Sequence, residues 1–321
     1  MYPQGNSLLR ADLRGVVEEA SLMQEEFVGL KALPPLPVPN KAGQYPVIQR
    51  AGGQLLRNLV QRRGPTSDYA RISRATTTDT YTCQEYGIEE LVDDGENEDY
   101  SRFFNVASKA LTYAYRQVWL AHEVRAAALL FNRANFTATT SATAYTAANL
   151  ATFDVGLDVD IVKQGIKAAG ESTVGLTAIM SEPTFNLIRA STRLQNRIRG
   201  TVGTDTYLTL DKQAVADALG LSQVLVGGAS YDTSLEGNSA SMSQIWSNAN
   251  IWVGRVAPAA GPEAYFSGGA AYTLFWQQDS AIIQVEQYRE EARRSSVVRA
   301  RQYTSEKIVL ANAGYLLATQ S

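Results

Sequence analysis

The 321-residue chain has one cysteine, Cys83, and one histidine, His122. A single cysteine excludes an intrachain disulfide framework and any cysteine-based metal cluster. A single histidine leaves no second imidazole for a histidine metal triad. Pairing Cys83 with His122 as nucleophile and base would recruit a side chain from inside a helix. No stretch approaches the roughly 20 apolar residues of a membrane span. The apolar run after Met1 is too short, and too interrupted by charge, for a signal peptide. VLVGGASYDTS lacks the GxxxxGK[ST] spacing and lysine of a phosphate loop, and AGPEAYFSGGAAY lacks GxGxxG. Ser101, Ser295 and Ser296 sit in no nucleophile-elbow pattern. Glu89-Glu90 and Asp93-Asp94 bring carboxylates together as a divalent cation would need, but a solvated acidic loop is the stronger reading. No cofactor, metal or catalytic residue is therefore expected, and the chain does not read as an enzyme. Neither sign of charge dominates: the net charge is −3, which excludes a general nucleic-acid binder. Lysine is scarce as well, most of the 29 basic residues being arginine. Arginine forms planar bidentate pairs and suits buried interfaces. A soluble protein of a reducing compartment is expected.

What is present is organised around Asp99 to Asn135. Phe103, Ala107, Ala110, Ala114, Val118, Ala121, Val124, Ala128 and Phe131 recur at helical steps, with no proline or glycine between them. The pattern predicts one helix of roughly 50 Å with Asp99 as N-cap. It reads either as the core helix of an α/β domain or as a spine bridging two lobes.

Before it, ALPPLPVPN (residues 32–40) is too proline-rich for a helix or a central strand. It is a stiff linker or an arm that reaches a neighbour. Tyr45 to Arg50 is a short strand candidate. An arginine cluster follows, and then a Thr- and Tyr-rich strand with two weak faces around Arg71 to Thr77. Such a hairpin does not stand alone in water. It lies on its own domain's surface or on an adjacent subunit. After the long helix, residues 156–281 alternate helices and strands as a small α/β module. Residues 296–304 read as a strand with a basic face, and this strand and Tyr315 to Ala318 are expected to return to the long helix.

The order of these parts resembles the major capsid protein of tailed double-stranded DNA bacteriophages, the HK97-like fold. VVRARQYTSEKIVLANAGYLLAT looks like that family's final P-domain strand. The resemblance implies an α+β chain with an N-terminal arm (1–50), an extended loop or E-loop (51–98), a P-domain beginning with the spine helix (99–155), an A-domain (156–281) and P-domain C-terminal strands (282–321). It implies a homo-oligomer of hexamers and pentamers in an icosahedral shell. The shell would enclose double-stranded DNA without sequence-specific binding and without a membrane. It would be assembled in the host cytoplasm as a virion capsid, with a separate scaffolding protein, a portal and cement or decoration proteins as partners. An encapsulin-like nanocompartment with protein cargo, or a soluble α/β enzyme with an unrecognised site, are the other readings. Members that crosslink use a loop lysine; none lies between Lys41 and Lys109 here, so non-covalent stabilisation is expected. On this reading Arg57, Arg62, Arg63, Arg71 and Arg74 meet Glu89, Glu90, Asp93 and Asp94 across subunit boundaries. Tyr115, Arg116, Trp119 and Arg125 form the helix face left free for a neighbour.

Overall fold

The computed structural model describes residues 27–48, 56–60, 62–64, 68–69, 71, 76–100, 105–202, 210–257, 268–277 and 281–320. The described chain starts with a single helical turn, α1 (Gly29–Ala32). The proline-rich segment then becomes strand β1 (Pro35–Val38), which pairs in parallel at one end of a sheet order. An end position tolerates residues without an N–H, and here Pro35 and Pro37 alternate with buried Leu36 and Val38.

Strands β2 (Ala42–Ile48) and β3 (Thr76–Thr82) form a two-stranded antiparallel ribbon. The first strand of this hairpin thus lies inside the segment expected to be arm. Of the strand expected around Arg71 to Thr77, residues 72–75 lie outside the described residues. Tyr45 and Tyr81 are buried against each other at the ribbon's base, with ring centroids 6.4 Å apart.

Strand β4 (Gln84–Asp93) leads into a short helix, α2 (Asp94–Tyr100), and then into the long helix α3 (Val106–Leu130). The long helix is shorter than expected at both ends. Its N-cap is Asn105, whose side chain accepts from the Ser108 backbone N–H at 3.1 Å, and not Asp99. The acidic run nucleates its own helix instead, with Asp94 and Glu96 in a first turn where negative charge is favoured.

The buried face of α3 is also rotated from the expected stripe. Val106, Ala110, Leu111, Ala114, Tyr115, Val118, His122, Glu123, Ala126, Ala127 and Leu130 are buried, whereas Ala121 and Ala128 are exposed. An alanine-rich helix carries more than one apolar stripe. The true inward stripe was disguised by two polar residues, His122 and Glu123, that are buried because they are hydrogen-bonded there.

Then follow β5 (Thr137–Thr140), α4 (Val155–Ala168), β6 (Leu176–Ser181), α5 (Glu182–Ala190), α6 (Thr192–Val202), α7 (Lys212–Ala218), β7 (Gln223–Gly227), a small ribbon of β8 (Ser230–Asp232) and β9 (Met242–Gln244), β10 (Asn250–Arg255), β11 (Ala271–Trp276), β12 (Gln284–Glu290), β13 (Ser295–Ile308) and β14 (Gly314–Ala318). Side-chain caps start three of the helices: Asp154 bonds the Leu157 N–H, Ser181 the Thr184 N–H and Asp211 the Ala214 N–H. Two five-stranded sheets result. The first runs β1-β11-β13-β12, with β4 also on β13; the second runs β5-β14-β10-β6-β7.

One strand lies elsewhere than expected: Ala271–Trp276, expected in the α/β module, pairs with β13 in the first sheet. Tyr315 to Ala318 returns to the long helix as expected, through Leu316, while pairing with β10 in the second sheet. Its Leu316 and Leu317 are both buried, as a strand covered on both faces requires.

In the second sheet, Ala178, Met180, Val224 and Leu317 pack against α4 through α7, with Val162, Ile166, Phe185 and Val215. Its other face, through Ile179, Leu225, Trp252 and Leu316, meets Ala126, Ala127 and Leu130 of α3. The first half of α3 packs on the first sheet instead, with Leu111 against Val298 and Val118 against Ala300. The helix therefore joins the two sheets, the bridging one of its two sequence readings.

Candidate functional site

The first sheet presents two faces because β13 alternates. Val298, Ala300, Thr304 and Glu306 point towards α3, while Arg299 and Arg301 lie on the opposite face. Across the strands, Glu89 of β4 pairs with Arg299, and Glu286 of β12 takes Arg301 at 2.8 Å and Arg299 at 3.5 Å. Tyr288 adds a hydroxyl bond to Glu89 at 3.2 Å. Glu85, Gly87, Ile88, Glu89, Arg299 and Arg301 line an open groove of about 660 Å³. A Cβ at Gly87 would stand 3.0 Å from the Ala300 carbonyl oxygen, so glycine lets β4 lie close on β13 here. The groove's charges are already matched in sign, and no nucleophile–base pair stands in it.

On the helix side, Arg125 lies over the Tyr86 ring at 3.8 Å. It donates to both Glu306 carboxylate oxygens, at 3.2 and 3.1 Å, and to Thr304. His122 meets Thr273 Oγ1 at 3.0 Å and stands 3.7 Å from Glu306. Burial drives its pKa down to about 4; Glu306 opposes that and Arg125 adds to it. Cys83 is buried too, its Sγ 3.8 Å from the Leu274 carbonyl oxygen, and burial pushes its pKa up to about 11. That leaves the thiol unreactive.

The expected site residues divide accordingly. Arg57, Arg62, Arg63 and Arg71 are exposed between β2 and β3, Arg63 stacking over Tyr69 at 4.8 Å; Arg74 lies outside the described residues. Glu89 and Asp94, expected to wait for another subunit's arginines, have partners in their own chain. Asp94 holds Arg289 in a bidentate pair at 2.5 and 2.6 Å, and that hydrogen bond keeps its pKa below the usual carboxylate range. Asp93 accepts from the Gly95 N–H at 2.9 Å, and Glu90 is half-buried.

On α3, Arg116 is exposed as expected. Tyr115 is buried, Trp119 packs edge-on between Tyr115 and His122, and Arg125 is engaged inward. The outward stripe of α3 is instead Lys109, Tyr113, Arg116, Gln117, Ala121 and Ala128. Sequence reasoning missed Glu286 and Glu306. A signal existed for Glu286, an acid on β12 opposite Arg299 of β13; Glu306 lies on β13 itself and takes its arginine from α3, which no local pattern shows.

No protein-family model matches the chain, and no curated protein sequence does. Solved structures do match, and they show the fold: the chain has the HK97-like fold. It is similar over 98% of both chains to a phage-related protein of Bordetella bronchiseptica RB50, at 17% identity and a TM-score of 0.71. It is similar to the capsid of cyanophage P-SCSP1u at 10% identity and a TM-score of 0.56, over 89% of this chain and 86% of that one. It is also similar to the virus-like particle of Pyrococcus furiosus, at 9% identity and a TM-score of 0.52, over 95% and 97%.

Proposed function

We propose that the chain is the major capsid subunit of a tailed double-stranded DNA bacteriophage. It assembles through hexamers and pentamers into an icosahedral shell that encloses the genome without reading its sequence. The role is structural rather than catalytic. A scaffolding protein, a portal and decoration proteins complete the assembly in the host cytoplasm. The observation that carries this reading is the likeness of fold over nearly the whole chain to a phage capsid.

Local features support it. Among the described residues β2 and β3 pair only with each other; Tyr45 and Tyr81 pack on the chain's own first sheet, and the exposed remainder of the ribbon needs a second surface. The outward stripe of α3 from Gln117 to Ala128 offers one, since Ala121 and Ala128 are small and uncharged. Arg57, Arg62, Arg63 and Arg71 on the loop would meet the exposed acids Glu85, Asp93, Glu96 and Asp99 of a neighbour. Pairs of that kind supply register and specificity. Arg116 and Trp119 border the same stripe.

Negative-stain microscopy of the expressed protein tests the reading. Closed shells or capsomer rings are expected, and a monodisperse monomer at high concentration would overturn it. Particle contents then decide what the shell is for: genome-length DNA fits a capsid, and a protein cargo fits an encapsulin-like compartment.

A further inference from the structure

Glu123 lies in the middle of α3 and is 1% exposed, yet no ion pair involving it is found among the described residues. Its carboxylate is instead surrounded by N–H donors. Oε1 accepts from the Val28 backbone N–H at 2.8 Å and from Trp246 Nε1 at 2.7 Å. Oε2 accepts from the Gly29 backbone N–H at 2.6 Å. One side chain thus ties the long helix to the segment entering α1 and to the stretch between β9 and β10. The approach is close enough to dictate a neighbour's identity. A Cβ on Gly29 would fall 2.4 Å from Glu123 Oε2 and 3.3 Å from the Ala126 Cβ. Val28, Ala32 and Leu33 are buried around this point with Ala126, Ala127, Leu130 and Trp246.

Closing a hydrophobic core does not require a carboxylate; an apolar side chain of similar volume would do so without the desolvation cost. What a carboxylate adds is direction, because two oxygens facing two successive backbone N–H groups fix both the place and the register of that backbone. We infer that Glu123 is a positioning residue: it fixes the place and register of residues 28–33 against α3, and assembly with a second copy of the chain depends on that placement. The inference rests on the capsid-subunit reading for its partner. The anchoring itself rests only on the bonds described.

Two full-length variants test it from opposite sides. Glu123→Gln keeps the volume but turns an amide donor towards an N–H donor. Gly29→Ala leaves every residue of α3 and Trp246 unsubstituted and pushes a methyl into the carboxylate. Lys31 is exposed just beyond the anchor, so tryptic cleavage of the Lys31–Ala32 bond, followed by intact mass, reports on its release. Loss of charge-assisted bonds should speed that cleavage about tenfold or more in both variants. Cooperative unfolding should be retained, and particle yield should fall further than the yield of folded subunit. If Glu123→Gln does not fold, Gly29→Ala decides alone. Unchanged cleavage in Gly29→Ala overturns the anchoring. Particle yield that falls only in step with folded subunit overturns the assembly role. Should the wild type form no particles while Gly29→Ala still accelerates cleavage, the capsid reading fails and the anchoring stands.

Discussion

Burial holds His122 in its neutral form. Its pKa falls to about 4 because burial penalises the imidazolium and Arg125 repels it, and the nearby Glu306 does not compensate. The ordinary value in an unfolded chain is about 6.5. Between these two values the unfolded state binds a proton that the folded state does not. The contribution of His122 to stability is therefore complete above about pH 6.5 and is lost progressively as pH falls towards 4. Two and a half units correspond to roughly 3 kcal/mol. His122→Gln keeps a polar group for Thr273 and removes the titration. Urea unfolding at pH 7 and pH 4.5 should show a smaller loss in this variant than in the wild type. An equal loss in both would mean that other groups carry the acid sensitivity.

Among the elements, α3 shows both how far sequence pattern reaches and where it fails. Its existence follows from an unbroken, breaker-free 3.6-residue pattern through residues 106–130, which left the bridging role open as one of two readings. Which face points inward does not, because alanines occur on both sides and polarity misleads at His122 and Glu123. Strand β13 was legible from its alternation. Its sheet partners were not, since pairing of β4 with β13 joins residues about 200 positions apart and leaves no local trace. For the same reason the place of β11 in the first sheet was hidden. The candidate site was legible as a set of charges but not as a set of pairs. Arg116 and Arg125 make the distinction testable. Arg125→Met leaves Glu306, whose side chain is 9% exposed, without its guanidinium. That should cost about 3 kcal/mol of subunit stability. Arg116→Glu, on the exposed face, should change stability by no more than about 0.5 kcal/mol and act on assembly instead. Denaturant titrations of the two purified subunits, alongside particle counts, separate these effects; equal destabilisation would dissolve the two-faced description of the helix.

At the level of the whole molecule, the charge layout is segregated although the net charge is small. Arg57, Arg62, Arg63 and Arg71 are exposed on the stretch joining β2 to β3, while the exposed positions of residues 84–99 carry Glu85, Glu89, Asp93, Glu96, Glu98 and Asp99. A chain arranged this way offers one copy's loop a complementary strip on the next. Surface attractions of this kind are screened over about 8–10 Å at physiological salt, so assembly should slow as salt rises. Reversing all four loop arginines to glutamate should leave the monomer's unfolding curve nearly unchanged, because each is at the surface. It should abolish particles by setting acid against acid. Adding Glu85→Arg, Glu98→Arg and Asp99→Arg to the same chain removes the strip's net negative charge, three arginines against Glu89, Asp93 and Glu96, without disturbing the Glu89–Arg299 and Asp94–Arg289 pairs or the acids in the first turn of α2. Every subunit of a homo-oligomer then carries both changed surfaces, and particle yield should recover. Failure to recover, with both variants folded, would show that the loop and the strip do not face each other. Recovery could not arise from effects within the monomer, since neither set of changes would alter its stability alone.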